Sequence, residues 1–336
     1  MRVIVTRVLV VLLLLGAGCS RPEPAKPLAA NPTPAALRRI VLQTDWLPQA
    51  EHGGFYQALA KGYYAEAGLA VELLPGGVNA QVNLKVARGD ADFGMNRSDL
   101  LFAVQDQGLP IVVVGAHLQH DPQALLVHAE SPVRNFSDLD GRTVIATPSM
   151  VWIPYLKKKY GVDFNLRPLT YGLAAFMADS TVVQQGFVTN EPFYAERHGV
   201  KVRALLIADS GYDAYHVMFT RRELARTEPE LVKAFVAASL RGWQDYIEGD
   251  PSPAHAEILR RNPQASAEHL AYSRDQMIAR RLVTGELTEG DALGRIRASR
   301  VDLQLTALRE AGLVSAEAKA EQFVSAPALT DDRAAR

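Results

Sequence analysis

The 336-residue chain has a single cysteine, Cys19. No disulfide can form within it, and no cluster of thiolates can hold a metal. Packing alone must hold its core. Neither sign of charge is in excess: 36 Lys and Arg stand against 37 Asp and Glu. The basic stripe that a nucleic-acid backbone requires is missing, so nucleic acid is not an expected partner. The unbroken apolar run Val8 to Leu15 falls short of the roughly 20 residues that span a bilayer. Walker, dinucleotide and Gly-x-Ser-x-Gly motifs are absent. Glu51-His52 lacks the second histidine of a zinc-protease helix. His117 and His120 leave a strand rather than share a helix face, so no metal is expected there, and no cofactor is called for.

The N-terminus has more to say. Arg2 and Arg7 precede the apolar run, and Gly16, Ala17 and Gly18 lead into Cys19. A basic start, a short apolar core and small residues at a cut make a signal peptide over 1–19. Leu15 to Cys19 resembles a bacterial lipobox, with Gly16 where leucine is usual. The resemblance implies that Cys19 is acylated and becomes the first mature residue. Residues 20–37 carry Pro22, Pro24, Pro27, Pro32 and Pro34. That density favours extended polyproline structure and cannot build a core, so the segment reads as a tether.

Beyond it, short apolar strands alternate with amphipathic helices. Strands are expected at 39–44, 70–74, 91–95, 111–118, 124–128, 143–146, 164–169, 183–188, 202–207 and 215–220. Helices are expected at 54–67 with Gly68 as cap, 79–87 with Asn79 as N-cap, 98–107, 149–160, 228–248, 252–261, 267–282 and 291–311. This alternation predicts an α/β protein with parallel sheets. The length favours two units. One lobe is expected from 38–124 plus 219–336 and the other from 125–218, with two strands crossing as hinges. No internal repeat is visible in the sequence.

Parallel α/β sheets place ligands at the carboxyl ends of their strands. Asp45 and Trp46 follow the first strand, Asn96 and Ser98 the third, and Gln119 the fourth. Thr147 and Ser149 follow 143–146, Asn190 and Glu191 follow 183–188, and Tyr212 and Asp213 follow 202–207. Trp46 is the strongest candidate, because an indole at a strand end can stack on a flat heterocycle. Its alternative is packing beneath the next helix. Glu191 can accept a hydrogen bond from an exocyclic amine, or serve as an N-terminal helix charge. Ser149 can join an anion-binding helix start or act as an N-cap. Trp152 and Tyr155 share a helix face and can line the cleft or pack the lobe. His52 precedes Gly53-Gly54, where the backbone can approach closely.

The stretch Thr44 to Gly77 (TDWLPQAEHGGFYQALAKGYYAEAGLAVELLPGG) resembles the periplasmic binding proteins for thiamine pyrimidine precursors, riboflavin, sulfonates and nitrate. Asp45-Trp46-x-Pro48, His52-x-Gly54, Tyr56 and Gly62-Tyr63-Tyr64-x-x-x-Gly68-Leu69-x-Val71 carry the likeness. Gly89 to Gly94, Asp138 to Val144 and Asn190-Glu191-Pro192 extend it. The resemblance implies a two-lobed type II periplasmic-binding-protein fold with the ligand between lobes. It implies a monomeric, lipid-anchored solute-binding protein of the periplasm or cell surface. Its partners would be an ABC importer permease and its ATPase. A hydroxymethyl- or formylamino-pyrimidine is the first ligand expected, riboflavin the second and a taurine-like sulfonate the third. Arg97 is the nearest arginine for an anion. A sensor-docked binding protein is another reading. The family also holds fungal enzymes that make the thiamine pyrimidine from a histidine of their own and lysine-bound pyridoxal phosphate. Those enzymes carry a cysteine-rich motif that this chain lacks, so no enzyme is expected here.

The anchor can be tested directly. A Cys19→Ser chain should leave the membrane fraction and appear soluble in the periplasm. Fractionation with membranes like the parent would overturn the lipobox reading.

Overall fold

The computed structural model describes residues 36–170 and 172–332. The signal peptide, Cys19 and nearly all of the tether lie outside the described residues.

Two five-stranded sheets dominate. The first is built from β1 (Arg38–Gln43), β2 (Leu69–Leu74), β3 (Phe93–Arg97), β4 (Ile111–Leu118) and β10 (His216–Arg221). Its order is β2-β1-β3-β10-β4, parallel except for β10. The second is built from β5 (Gln123–His128), β6 (Thr143–Ala146), β7 (Asn165–Pro168), β8 (Val183–Phe187) and β9 (Val202–Leu206). Its order is β7-β6-β8-β5-β9, with β5 antiparallel to both neighbours. The two orders are the same pattern. In each sheet the antiparallel fourth strand is the one the chain forms first on arriving from the other sheet. The sequence shows no repeat, yet the topology repeats.

Burial on both faces explains the continuous apolar strands. Ile111 and Val113 of β4 enter one core, and Val112 and Val114 the other. Leu125 and Val127 of β5 divide from Ala124 and Leu126 in the same way. This is the period-two alternation of a strand covered on both sides.

Helices α1 (Gly53–Ala60), α2 (Tyr63–Glu66), α3 (Val82–Arg88) and α4 (Ser98–Asp106) belong to the first sheet's crossovers. Helices α5 (Trp152–Tyr160), α6 (Ala174–Ala178) and α7 (Glu191–Arg197) belong to the second. The chain then forms α8 (Arg222–Thr227), α9 (Pro229–Glu248), α10 (Ser252–Arg261), α11 (Ala267–Ala279), α12 (Ala298–Glu310) and α13 (Ala320–Phe323). Short strands β11 (Ile296–Arg297) and β12 (Leu329–Thr330) pair near the end.

Several expected boundaries move. The helix expected over 54–67 is split by Gly62, whose φ of 77° is left-handed. The helix expected from 291 begins at Ala298, after left-handed Gly294. The helix expected from 79 begins at Val82, so Asn79 is not its cap. Ser149 caps nothing: α5 starts at Trp152 after a turn in which the Met150 amide donates to the Thr147 carbonyl at 3.1 Å. The chain changes sheets over 119–122 and 207–215, in irregular segments rather than strands. The expected divisions at 124/125 and 218/219 fall a few residues beyond them.

Gly53-Gly54 does bring backbone close, but to a helix. A Cβ on Gly54 would sit 2.1 Å from the Trp243 ring, and one on Gly242 would sit 2.2 Å from the Gly54 carbonyl oxygen. Helices α1 and α9 thus touch through glycine, which holds the Asp45–His52 segment on the core. Overpacking of this kind costs about 1–3 kcal/mol. Gly242→Ala should lose at least about 2 kcal/mol, because the obstruction is backbone that no rotamer can relieve. Urea unfolding measures the loss, and a change below about 0.5 kcal/mol would show that α1 and α9 separate freely.

Candidate ligand-binding cleft

The carboxyl ends of β1 and β3 open onto a hollow of about 630 Å³. Asp45, Trp46 and Asn96 line it, joined by Val78 and Gln81 from the segment between β2 and α3, Asn83 and Leu84 on α3, and Val104, Gln107 and Leu109 at the end of α4 and just beyond it. Trp46 is half-buried, and its neighbours Leu47 and Val78 are exposed. The wall is braced by its own backbone. Gly76 and Gly77 amides donate to the Trp46 and Asp45 carbonyls at 2.9 and 3.1 Å. The Asn96 side-chain amide donates to Asn83 Oδ1 at 3.0 Å.

Asp45 is held by His52, whose Nε2 lies 3.0 Å from its Oδ1. Burial opposes the charge on Asp45, but the bond to His52 and its charge hold the carboxyl below its ordinary value. The pair presents an oriented carboxylate beside the Trp46 indole. His52 is itself fully buried, so it supports the site from beneath.

The second sheet's strand ends meet the first sheet's at two points. Thr189, after β8, donates its hydroxyl to Glu51 in the 3-10 turn before α1. Arg97, at the end of β3, reaches Met150 Sδ at 3.5 Å and Gln123 Oε1 at 3.0 Å. Arg97 is buried and flanked by two carboxylates: Nη2 lies 2.7 Å from Asp99 Oδ2, and Nε lies 3.2 Å from Asp121 Oδ2. Burial works against the guanidinium charge, but Asp121 and Asp99 raise its pKa above the ordinary value. Its charge is spent inside the protein.

Most of the remaining candidates bond to the fold or pack within it. Tyr56 is fully buried behind the first sheet, and burial pushes its hydroxyl up to about 12. Trp152 is fully buried in the core rather than on the cleft. Ser98 Oγ donates to Gln304 Oε1 at 2.6 Å and accepts from the Tyr215 amide at 3.0 Å. Gln119 Nε2 donates to the Ala292 and Arg295 carbonyls. Glu191 folds back on its own strand, where Oε2 accepts from the Phe187 amide at 2.6 Å and Oε1 from the Asn190 side chain at 3.0 Å. Burial raises its carboxyl above the ordinary range despite those bonds. Tyr212 donates to Asp99 Oδ2 at 2.7 Å. Asp213 pairs with His120 at 2.6 Å and Arg300 at 2.5 Å. Thr147 donates its amide to Gln185 Oε1 at 2.8 Å, and Ser149 is exposed. His117 is buried among Phe55, Trp243 and His216, and burial lowers its pKa well below the ordinary value.

The strand-end rule thus finds three residues that share one hollow, and His52, singled out for the glycines after it, stands behind them. It misses Gln81 and Asn83, which follow a strand by several residues. It also misses Glu51, Asp99 and Asp121, whose roles depend on distant partners.

A family model described as NMT1/THI5 like matches residues 49–254, more than half of the chain. The chain belongs to the NMT1/THI5-like family. A riboflavin-binding protein, RibY of Chloroflexus aurantiacus, is 30% identical over 342 residues and 96% of each chain. A 4-amino-5-hydroxymethyl-2-methylpyrimidine phosphate synthase of Legionella pneumophila is 25% identical over 67% of this chain and 74% of its own. Among solved structures, the periplasmic aliphatic sulphonate binding protein SsuA of Escherichia coli superposes with a TM-score of 0.66. It is 15% identical over 85% of this chain and 92% of its own. The fold is the two-lobed type II fold of periplasmic binding proteins. The family match begins at residue 49, just after Asp45 and Trp46, and takes in His52, Gln81, Asn83 and Asn96.

The Asp45–His52 pair makes stability depend on pH. A carboxyl with a lowered folded pKa contributes fully above its unfolded value of about 3.9. The contribution fades as pH falls through the lower folded value. Asp45→Asn should therefore be less stable than the parent at pH 7, with the gap closing near pH 3. Urea midpoints at the two pH values test this, and a gap that does not change with pH would show that charge plays no part.

Proposed function

We propose that the chain is the solute-binding lipoprotein of an ABC importer, held at the membrane through Cys19, and that its cleft takes a flat, uncharged heterocycle, riboflavin first. One observation carries this reading: Trp46 and the oriented Asp45 carboxylate line the same open hollow. The volume falls within the range of about 300–1,000 Å³ that small-molecule sites occupy. Stacking a ring on an aromatic side chain is worth about 1–3 kcal/mol. Asp45 can accept a ring N–H or a ligand hydroxyl, and Asn83 offers a carboxamide at the same wall.

Riboflavin displaces the smaller pyrimidines as first choice for two reasons. The likeness to the riboflavin-binding relative runs over 96% of both chains. At about 630 Å³ the hollow also has room for more than a single ring. Pyrimidine precursors remain the second reading, because they present the same stacking face and N–H donors. Sulfonates fit less well: Arg97, which follows Asn96 at the end of β3, is already balanced by Asp99 and Asp121.

Capture needs no reactive group. The two sheets are joined by short irregular segments, which lets a ligand favour a closed form already present in the ensemble. The permease and ATPase would read that form. The synthase branch is disfavoured because the only cysteine is Cys19. Lys85, half-buried rather than solvated, donates its ammonium to Gln43 at 2.9 Å.

Calorimetry should detect riboflavin at micromolar affinity or tighter, about −8 kcal/mol. Trp46→Ala should weaken it at least about tenfold, towards the lower end of the stacking range. Absence of heat with riboflavin, the pyrimidines and a sulfonate would overturn the ligand class. Undiminished binding by Trp46→Ala would overturn the stacking role.

A further inference from the structure

Two residues other than glycine among the described ones hold a left-handed backbone, Gln81 with φ 49° and Arg281 with φ 50°. Side chains with a Cβ disfavour that region. Arg281 spends its guanidinium on Glu286. Gln81 is different. It stands just before α3, yet its side chain makes no capping hydrogen bond there. It is exposed, and it lines the hollow that Asp45 and Trp46 line.

The surroundings leave this turn little choice. A Cβ on Gly76 would sit 2.3 Å from the Thr44 carbonyl oxygen, so the segment is pressed against the end of β1. Gly77 and Gly76 are bonded to Asp45 and Trp46, and the Ala80 amide donates to the Gly77 carbonyl at 3.0 Å. On the other side the Gln81 carbonyl accepts from the Lys85 amide at 3.0 Å. The residue is thus clamped in a strained conformation that glycine would hold without cost. Elsewhere in the chain glycine does so, as at the end of α3, where Gly89 has φ 86°. Strain that persists because its surroundings over-determine it gathers at ligand clamps.

We infer that Gln81 is a ligand-positioning residue of this hollow, recognising the edge of a heterocycle that shows a carbonyl or ring nitrogen beside an N–H. A carboxamide supplies two donors and an acceptor in one plane, which matches such an edge. The strained turn aims it where Trp46 would hold the ring face and Asp45 a hydrogen-bond donor. This rests on the reading of the hollow as the ligand site.

The test uses the full chain with Gln81→Gly, Gln81→Ala and Trp46→Ala, by thermal melting and by calorimetry with riboflavin. If riboflavin gives no heat, 4-amino-5-hydroxymethyl-2-methylpyrimidine is the probe. Gln81→Gly should melt a few degrees higher, since the strain is relieved, and yet bind at least about fivefold more weakly. Gln81→Ala keeps the strained backbone and loses only the carboxamide. It should melt near the parent and bind more weakly by a similar factor. A Gln81→Gly chain that melts lower than the parent would overturn the strain. If Trp46→Ala loses binding while both Gln81 variants bind within about twofold of the parent, the role of Gln81 falls and the site stands. Parent-like binding by all three, or no heat with either probe, overturns the site and with it the inference.

Discussion

The base of the cleft depends on one buried guanidinium. Arg97 leaves the end of β3 and meets Asp99 in the first turn of α4, Asp121 on one crossing segment and Gln123 at the start of the second sheet. Tyr212, on the other crossing segment, bonds the same Asp99 carboxylate. His216 reaches Asp121 at 3.2 Å. Each charge here is buried, and removing one partner of such a set leaves another uncompensated at a cost of about 3–5 kcal/mol. The set therefore fixes where both crossings sit relative to β3, and so where the two rows of strand ends face each other.

A second ionic set continues this one towards the C-terminus. Asp213 takes His120 and Arg300, and the Arg300 guanidinium also donates to the Gln119 carbonyl. Asp291 pairs with Arg297 at 3.1 Å. Both crossing segments are thereby tied to Arg300 of α12, 181 residues beyond Gln119 and 87 beyond Asp213. A motion of one sheet against the other must turn about these anchored points. Near the rim, the bond from Thr189 to Glu51 joins the sheets again, and His269 and Ser273 of α11 hold the Thr189 carbonyl at 3.2 and 2.6 Å.

These sets also shape what the hollow can receive. Arg97 is neutralised from within, while Asp45 stays an acceptor and Trp46 keeps part of its surface open. The wall holds an aromatic face, a carboxylate and carboxamides among aliphatic side chains such as Val78, Leu84 and Leu109. The proposed capture of a planar, neutral, hydrogen-bonding solute rests on that wall. The balance was reached by placing acids around an arginine, not by leaving charge out of the sequence.

The alternation of strands and helices was legible because burial on both faces forces continuous apolar runs, as in β4 and β5. The start of the cleft was legible too, since a polar or aromatic residue directly after a parallel strand must stand at its carboxyl end: Asp45, Trp46 and Asn96 obey this. Direction was not legible. Trp152 and Tyr56 follow the same local signals and turn into the core, because a bulky ring goes where volume is left by elements far along the chain. Glu191 folds back onto Phe187, and Ser149 caps no helix, because the turn before α5 delays its first residue. Sequence alone determined the class of fold, the strand ends that could serve a ligand and the lack of cysteine chemistry, all of which are set by neighbours within a few residues. Tertiary structure decided which of those ends share a hollow, and that Arg97 has no charge to offer, because both depend on partners brought together only when the two sheets fold.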